Sequence, residues 1–191
     1  MDVPGLYYIK DFVSEGFGTR VLECLDGMQW RALSDSPNSR KVQHYGYLYD
    51  YATRTTNAPA PSFPTCIEDM ASLLLVECRN LNLVNDGYRF NQCIVNNYEP
   101  GQGISRHIDL KSYGGVIGCF TFGSGAVMRF HHAGSVHDMY VEPNSLYIMS
   151  EDARWIWSHE MPCRKSDIIG GTKIQRCRRV SVTFRKVDDG I

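Results

Sequence analysis

The spacing of apolar residues changes character about halfway along the chain. In "SEGFGTRVLECLDGMQW", Phe17, Val21, Leu22 and Leu25 recur at helical spacing behind a serine, which predicts a helix over Ser14 to Asp26. In "TCIEDMASLLLVECRNL", Ile67, Met70 and Leu74, followed by Leu75 or Val76, predict a second. From Phe90 onward short runs rich in β-branched and aromatic residues take over, set apart by Gly, Pro, Asn or Ser. They are "FNQCIVNNY", "GVIGCFTFG", "AVMRFHH", "HDMYVEP", "SLYIMS", "WIWSHEM" and "RVSVTFRKV". Strands this short, at roughly ten-residue spacing with no long helix between them, argue for an antiparallel barrel or jelly roll. The expected fold class is α+β, with N-terminal helices packed on one sheet of a jelly-roll core over about residues 90–187. Between the helices, "TTNAPAPSFPT" carries three prolines and predicts a loop.

Composition narrows the class. A chain of 191 residues, 43% hydrophobic, can bury one substantial core and fits a single domain over 1–191. The apolar stretch from Ala71 to Val76 is too short to cross a bilayer, and "MDVPGLYYIKDF" lacks the basic and apolar regions of a signal peptide. A monomeric protein of the cytoplasm or nucleus, with no membrane partner, is expected. Seven cysteines, an odd number without a CxxC pair, predict reduced thiols rather than a disulfide framework or zinc ribbon. The net charge of -1 excludes a globally basic nucleic-acid binder. Between Arg164 and Lys186, however, eight basic residues stand against one acid, Asp167, which makes either a phosphate-facing rim or a solvated basic face.

The candidate chemistry begins at "HID". His107 and Asp109, two apart on a strand, offer an imidazole and a carboxylate on one face. A third metal ligand must come from His131, His132, His137 or His159. Periodicity favours His159 slightly, because it follows "WIWS", an aromatic strand whose Trp155 and Trp157 are expected in the core. Two histidines and one carboxylate leave cis positions open on an octahedral iron, the facial triad of non-haem Fe(II) oxygenases. Such a site needs a reductant, in many enzymes a 2-oxo dicarboxylate, and a dicarboxylate favours arginine forks. In "RRVSVTFR", Arg179, Ser181, Thr183 and Arg185 share one strand face, while Val180, Val182 and Phe184 share the other.

With these residues in place the chain resembles the AlkB family of Fe(II)/2-oxoglutarate dioxygenases. Four blocks carry the resemblance in order: "GYLYDY", "NNYEPGQGISRHID", "SEDARWIWSHEM" and "RRVSVTFRKV". Within the family, "YEPGQGI", "HID", "CRKSD" and "TFRKV" are worded most like the oxygenase domain of the eukaryotic tRNA wobble-uridine hydroxylase. The resemblance implies a double-stranded β-helix (jelly roll), and Fe(II), 2-oxoglutarate and O2 as cofactor and cosubstrates. It implies His107, Asp109 and His159 as iron ligands. Arg179, Tyr98 and Ser181 would hold the distal carboxylate of 2-oxoglutarate, and Arg185 and Asn96 would face the end that chelates iron. Many family members have asparagine in place of Ser181, and in the wobble-uridine hydroxylase branch an acidic residue is usual in place of Arg129, a change expected to alter what the pocket accepts.

The implied function is oxidation of alkylated or modified bases in RNA or DNA, by demethylation or hydroxylation, with release of succinate and CO2. The alternative is a protein or small-molecule hydroxylase on the same scaffold. A base must leave its stack and lie between aromatic faces to be reached. Tyr47, Tyr49 and Tyr51 alternate on one predicted strand, with Tyr47 implied near the substrate phosphate. The segment of about residues 30–64 is the expected nucleotide-recognition lid, with Arg31, Arg40, Lys41 and Arg54 placed to meet phosphates.

Overall fold

The computed structural model describes residues 3–36 and 39–188; residues 37 and 38 of the expected lid, and the outermost residues of the expected domain, lie outside the described residues. The N-terminal half runs β1 (Leu6–Ile9), α1 (Glu15–Asp26), β2 (Arg31–Ala32), β3 (Lys41–Tyr45), β4 (Tyr47–Asp50), β5 (Thr55–Pro59) and α2 (Thr65–Asn80). There follow β6 (Gln92–Tyr98), β7 (Ile104–His107), β8 (Ile117–Gly123), β9 (Ala126–His132), β10 (Ser135–Val141) and β11 (Ser145–Met149). The chain ends with α3 (Glu151–Trp155), β12 (Ser158–Met161), β13 (Ser166–Ile169), β14 (Thr172–Gln175) and β15 (Arg179–Arg185). Both long helices form where the periodicity predicts them, and the Ser14 hydroxyl accepts a hydrogen bond from the Phe17 amide at 3.2 Å, capping α1.

Two antiparallel sheets make the jelly roll. One has seven strands in the order β1-β11-β8-β15-β6-β3-β2, and the other has four in the order β10-β9-β12-β7. Strand alternation gives the larger sheet two different buried faces. Val95, Phe120, Phe122, Val180, Val182 and Phe184 pack against Val21 and Leu25 of α1 and Ile67, Met70 and Leu74 of α2. The intervening positions, among them Tyr98, Cys119, Tyr147 and Met149, face Met128, Phe130 and Met161 of the smaller sheet. Helix α2 comes close because position 118 is glycine; a Cβ there would collide with the Leu74 side chain. The polar positions of β15 are buried as well as its valines, since they face the interior between the sheets.

Several expectations are corrected. "TTNAPAPSFPT" is not all loop: Thr55–Pro59 forms β5 and pairs with β4 in a ribbon apart from the main sheets. A two-stranded ribbon tolerates proline because neither strand needs donors on both edges. The "WIW" run is not a strand. Residues Glu151–Trp155 form α3, with Glu151 and Asp152 in its first turn, and only Ser158–Met161 is extended. Trp155 is therefore 43% exposed, and Trp157 alone of the pair is buried. Cys24 of α1 and Cys66 of α2 are joined in a disulfide, against the expectation for these two, while Cys78, Cys93, Cys119, Cys163 and Cys177 are free thiols. The helices bring together cysteines 42 residues apart.

Six of the eight residues of the basic run are paired or turned inward, while Lys165 and Lys173 are exposed. Arg164 and Arg176 both pair with buried Asp167, which fastens β13 and β14 onto the Val127 amide of β9. Arg178 pairs with Asp26, Lys186 pairs with Asp188, and Arg179 and Arg185 turn inward. No helix among the described residues is long and apolar enough to cross a membrane.

Candidate active site

The turn before His107 is held tightly. The Gln102 amide donates to the Glu99 carbonyl at 2.9 Å, and Gly103 packs so close to the Met161 carbonyl of β12 that no Cβ would fit. That approach lets β7 pair with β12 and sets His107 directly across from His159. Their rings stand 4.4 Å apart. Asp109 is not on the strand with His107, as the two-residue spacing suggested, but just beyond its end. His107, Asp109 and His159 nonetheless converge, with one donor atom from each within 4.8 Å of the others.

The electrostatics suit a cation. His107 Nδ1 lies 2.8 Å from the Ser105 carbonyl, which makes Nδ1 the donor and leaves the Nε2 lone pair free to ligate. Burial, with His107 beside it, lowers the His159 pKa to about 4, so this imidazole is neutral near pH 7. Burial alone would raise Asp109, but Arg185, His159 and His107 hold its carboxyl well below the usual range. Asp109 Oδ2 is 3.7 Å from His159 Nε2, and His159 Nδ1 is buried without a partner among the described residues. Two imidazoles and one carboxylate match the donor set of a non-haem iron site.

A narrow cleft of about 40 Å³ runs from this cluster between the sheets. The ladder between β15 and β6 sets Arg179 opposite Tyr98 and Ser181 opposite Asn96, and all four border the cleft. Arg179 is 4% exposed; its Nη2 donates to Thr121 Oγ1 at 2.9 Å, and its Nε has no partner among the described residues. Among the described residues no carboxylate pairs with it. A buried guanidinium left this way is costly unless an anion joins it, so the cleft fits a carboxylate of 2-oxoglutarate. Arg185, expected to face the other end of that molecule, borders the cleft but donates to Asp109. Asn96 Oδ1 accepts from Arg40 Nε at 2.9 Å.

A larger cavity of about 360 Å³ opens over His107 and Asp109 to solvent, walled by Tyr49, Tyr51, Arg40, Arg54 and Arg106. The proposed substrate residues are thus only partly gathered. Tyr49 and Arg40 line the cavity, together with Tyr51. Tyr47 packs at the edge of the inter-sheet core and does not line it. Lys41 is exposed and lies opposite Asn97, on the helix-side parity of the sheet. Arg129 is corrected as a pocket residue: Met128 and Phe130 face inward, so Arg129 points out of the smaller sheet. There it donates both Nε and Nη2 to the Asp138 carboxylate, each at 2.7 Å. His131 sits on the same outer face, 3.1 Å from Glu160, and is not at the metal cluster. Tyr113 and Arg154, absent from the sequence reading, also adjoin the site; nothing in their local pattern marks them.

A family profile described as the 2OG-Fe(II) oxygenase superfamily matches residues 9–185, and the chain belongs to that family of Fe(II)- and 2-oxoglutarate-dependent dioxygenases. Its relatives are AlkB-like. The tRNA (carboxymethyluridine(34)-5-O)-methyltransferase alkbh8 of Xenopus tropicalis is 33% identical over 96% of this chain and 32% of its own length. The alkylated DNA repair protein ALKBH8 homolog of Arabidopsis thaliana is 30% identical, over 98% of this chain and 59% of its own. The chain therefore spans about a third of the frog protein and under two thirds of the plant one. An uncharacterized protein, L905, of Acanthamoeba polyphaga mimivirus is 31% identical over 97% of this chain and 86% of its own. Among solved structures, OsALKBH1 superposes with a TM-score of 0.73 at 16% identity, covering 97% of this chain and 98% of that one. A Pseudomonas putida prolyl-4-hydroxylase gives 0.62 at 16%, covering 97% and 94%, and these two likenesses show the jelly-roll fold.

Proposed function

We propose that the chain oxidises an alkylated or modified base of RNA or DNA, presented single-stranded or flipped from a duplex. The carrying observation is the make-up of the larger cavity, lined by four arginines and three tyrosines around an opening floored by His107 and Asp109. Aromatic faces hold unstacked bases, and guanidinium groups meet the flanking phosphates. The frog relative is named for a tRNA uridine and the Arabidopsis relative for alkylated DNA, which supports a nucleic-acid substrate without choosing between them.

Iron(II), 2-oxoglutarate and O2 together supply oxidation of a C–H bond, with succinate and CO2 as coproducts. His107, Asp109 and His159 hold the metal. Arg179, beside Tyr98 and Ser181, holds the distal carboxylate of 2-oxoglutarate, and Asn96 and Arg185 border its inner end. Tyr49 and Tyr51 flank the base, while Arg40, Arg54 and Arg106 face its phosphates and orient it over the floor. The segment of residues 30–64 serves as the lid. An oxidised N-methyl group departs as formaldehyde, whereas a carbon-bound group keeps its hydroxyl.

The test is a screen of methylated DNA, methylated RNA and tRNA with iron(II), ascorbate and 2-oxoglutarate, read as succinate and formaldehyde release. Stimulation by at least one nucleic acid supports the reading. Stimulation only by peptides or free small molecules would favour the alternative hydroxylase.

A further inference from the structure

Among the described residues Arg154 is the largest of the fully buried side chains, 1% exposed, yet it meets no carboxylate. The other deeply buried arginines are accounted for: Arg176 pairs with Asp167, Arg185 pairs with Asp109, and Arg179 faces the cleft. Arg154 instead gathers backbone carbonyls. Its Nε donates to Gly114 at 2.9 Å, Nη1 to Asp109 at 3.2 Å, and Nη2 to Tyr113 at 3.0 Å and also to Leu110. Its outer side is covered by the Trp155 ring, 4.2 Å from the guanidinium carbon.

All four carbonyls belong to one loop, and that loop begins at the carboxylate of the metal cluster. Carbonyls in a partly buried loop need donors, and without Arg154 those of Asp109, Tyr113 and Gly114 would lose this one, while that of Leu110 would keep only the Tyr113 amide at 3.1 Å. A planar fork with five N–H groups can reach several acceptors at once, which a lysine ammonium cannot do in the same geometry. The two arginines at Asp109 thus divide the task. Arg185 holds a carboxylate oxygen at 2.9 Å, and Arg154 holds the main chain from which that carboxylate projects.

We propose that Arg154 is a positioning residue for the metal site, fixing the backbone of the 109–114 loop so that the Asp109 carboxylate stands at ligating distance from His107 and His159. This rests on the reading of that cluster as a metal centre. Groups that orient ligands in this way typically contribute about ten- to a hundredfold to metal affinity.

The experiment is a cobalt(II) titration of metal-free protein, followed by visible absorption and calorimetry, on wild type, Arg154→Met, Arg154→Lys and Leu74→Ala. Leu74 is on the buried side of α2, packed against the far face of the larger sheet, so its truncation reports loss of stability alone. Arg154→Met is expected to weaken cobalt(II) about ten- to a hundredfold and alter the cobalt spectrum. Arg154→Lys should fall between it and wild type, and Leu74→Ala should melt earlier with affinity unchanged. Wild-type affinity and spectrum in Arg154→Met would overturn the proposal; if that variant does not fold, the same result in Arg154→Lys would do so. Equal weakening in Leu74→Ala would also overturn it, by reducing the effect to general destabilisation. A wild-type protein that bound no cobalt(II) would instead remove the metal reading beneath it.

Discussion

Arg185 and Asp109 form a buried ion pair at the floor of the larger cavity, with Nη2 at 2.9 Å and Nε at 3.2 Å from the same carboxylate oxygen, Oδ1. The other oxygen, Oδ2, is the one turned toward His159. Arg185 thus occupies one half of the carboxylate and leaves the other half for a metal. Replacing Arg185 with methionine leaves a buried carboxylate without its partner, which costs about 3–5 kcal/mol in comparable cases. Urea denaturation of metal-free protein should show a loss of that size, and a stability within about 1 kcal/mol of wild type would contradict the pairing.

Arg179 should act on the cosubstrate rather than on the fold. A hydrogen bond involving a charged group contributes about 1.5–3 kcal/mol, so Arg179→Met should weaken 2-oxoglutarate binding by about ten- to a hundredfold. Affinity for the metal alone should stay close to wild type. Calorimetry with 2-oxoglutarate and a redox-inert metal separates the two effects, and loss of both together would count against the assignment.

Arg40 and Lys41 are neighbours in sequence that should behave differently. Arg40 lines the cavity and donates to Asn96, while Lys41 lies on the other parity of β3. Charge reversal at Arg40 should weaken nucleic-acid binding and flatten its salt dependence by about one phosphate contact. The same reversal at Lys41 should change neither. Fluorescence anisotropy across a salt series distinguishes them, and equal effects at both positions would contradict the proposed orientation.

His44 gives the protein a pH-dependent stability term. Burial, followed by the charges of Arg31, Arg185 and Arg40, lowers its pKa from 6.5 to about 4, and its Nε2 lies 3.1 Å from the Tyr51 hydroxyl. Because the folded value lies below the unfolded one, the unfolded chain binds more protons between them. The contribution is complete above pH 6.5 and is lost as the pH falls toward 4. Thermal melting should therefore drop over that window in wild type, and less steeply in His44→Gln. Parallel curves would remove His44 from the account.

The site was most legible where sequence period and chemistry coincide. In β15 the polar positions alternate with Val180, Val182 and Phe184, and since one parity packs on the helices the other had to face the cleft. Parity failed where no such anchor existed. One residue either way decides which face a side chain takes, and Arg129 between Met128 and Phe130 points outward. The "WIW" run shows another limit, since aromatic composition outweighed the acidic start of α3 in the strand expectation. Arg154 was out of reach for a different reason. Its role depends on four carbonyls about forty residues away, and nothing in its own neighbourhood encodes their approach. The Cys24–Cys66 pair was hidden in the same way, by contact between two helices.

The central claim is that the cluster of His107, Asp109 and His159 oxidises a base of nucleic acid. Its most direct test quantifies succinate and altered nucleosides together, by mass spectrometry of tRNA and genomic DNA treated with wild type or His107→Ala in the presence of iron(II), ascorbate and 2-oxoglutarate. The account predicts that wild type yields succinate matched by loss or hydroxylation of one nucleoside, and that His107→Ala yields neither. Succinate from wild type with every nucleoside of both nucleic acids unchanged, or equal turnover by His107→Ala, would contradict it.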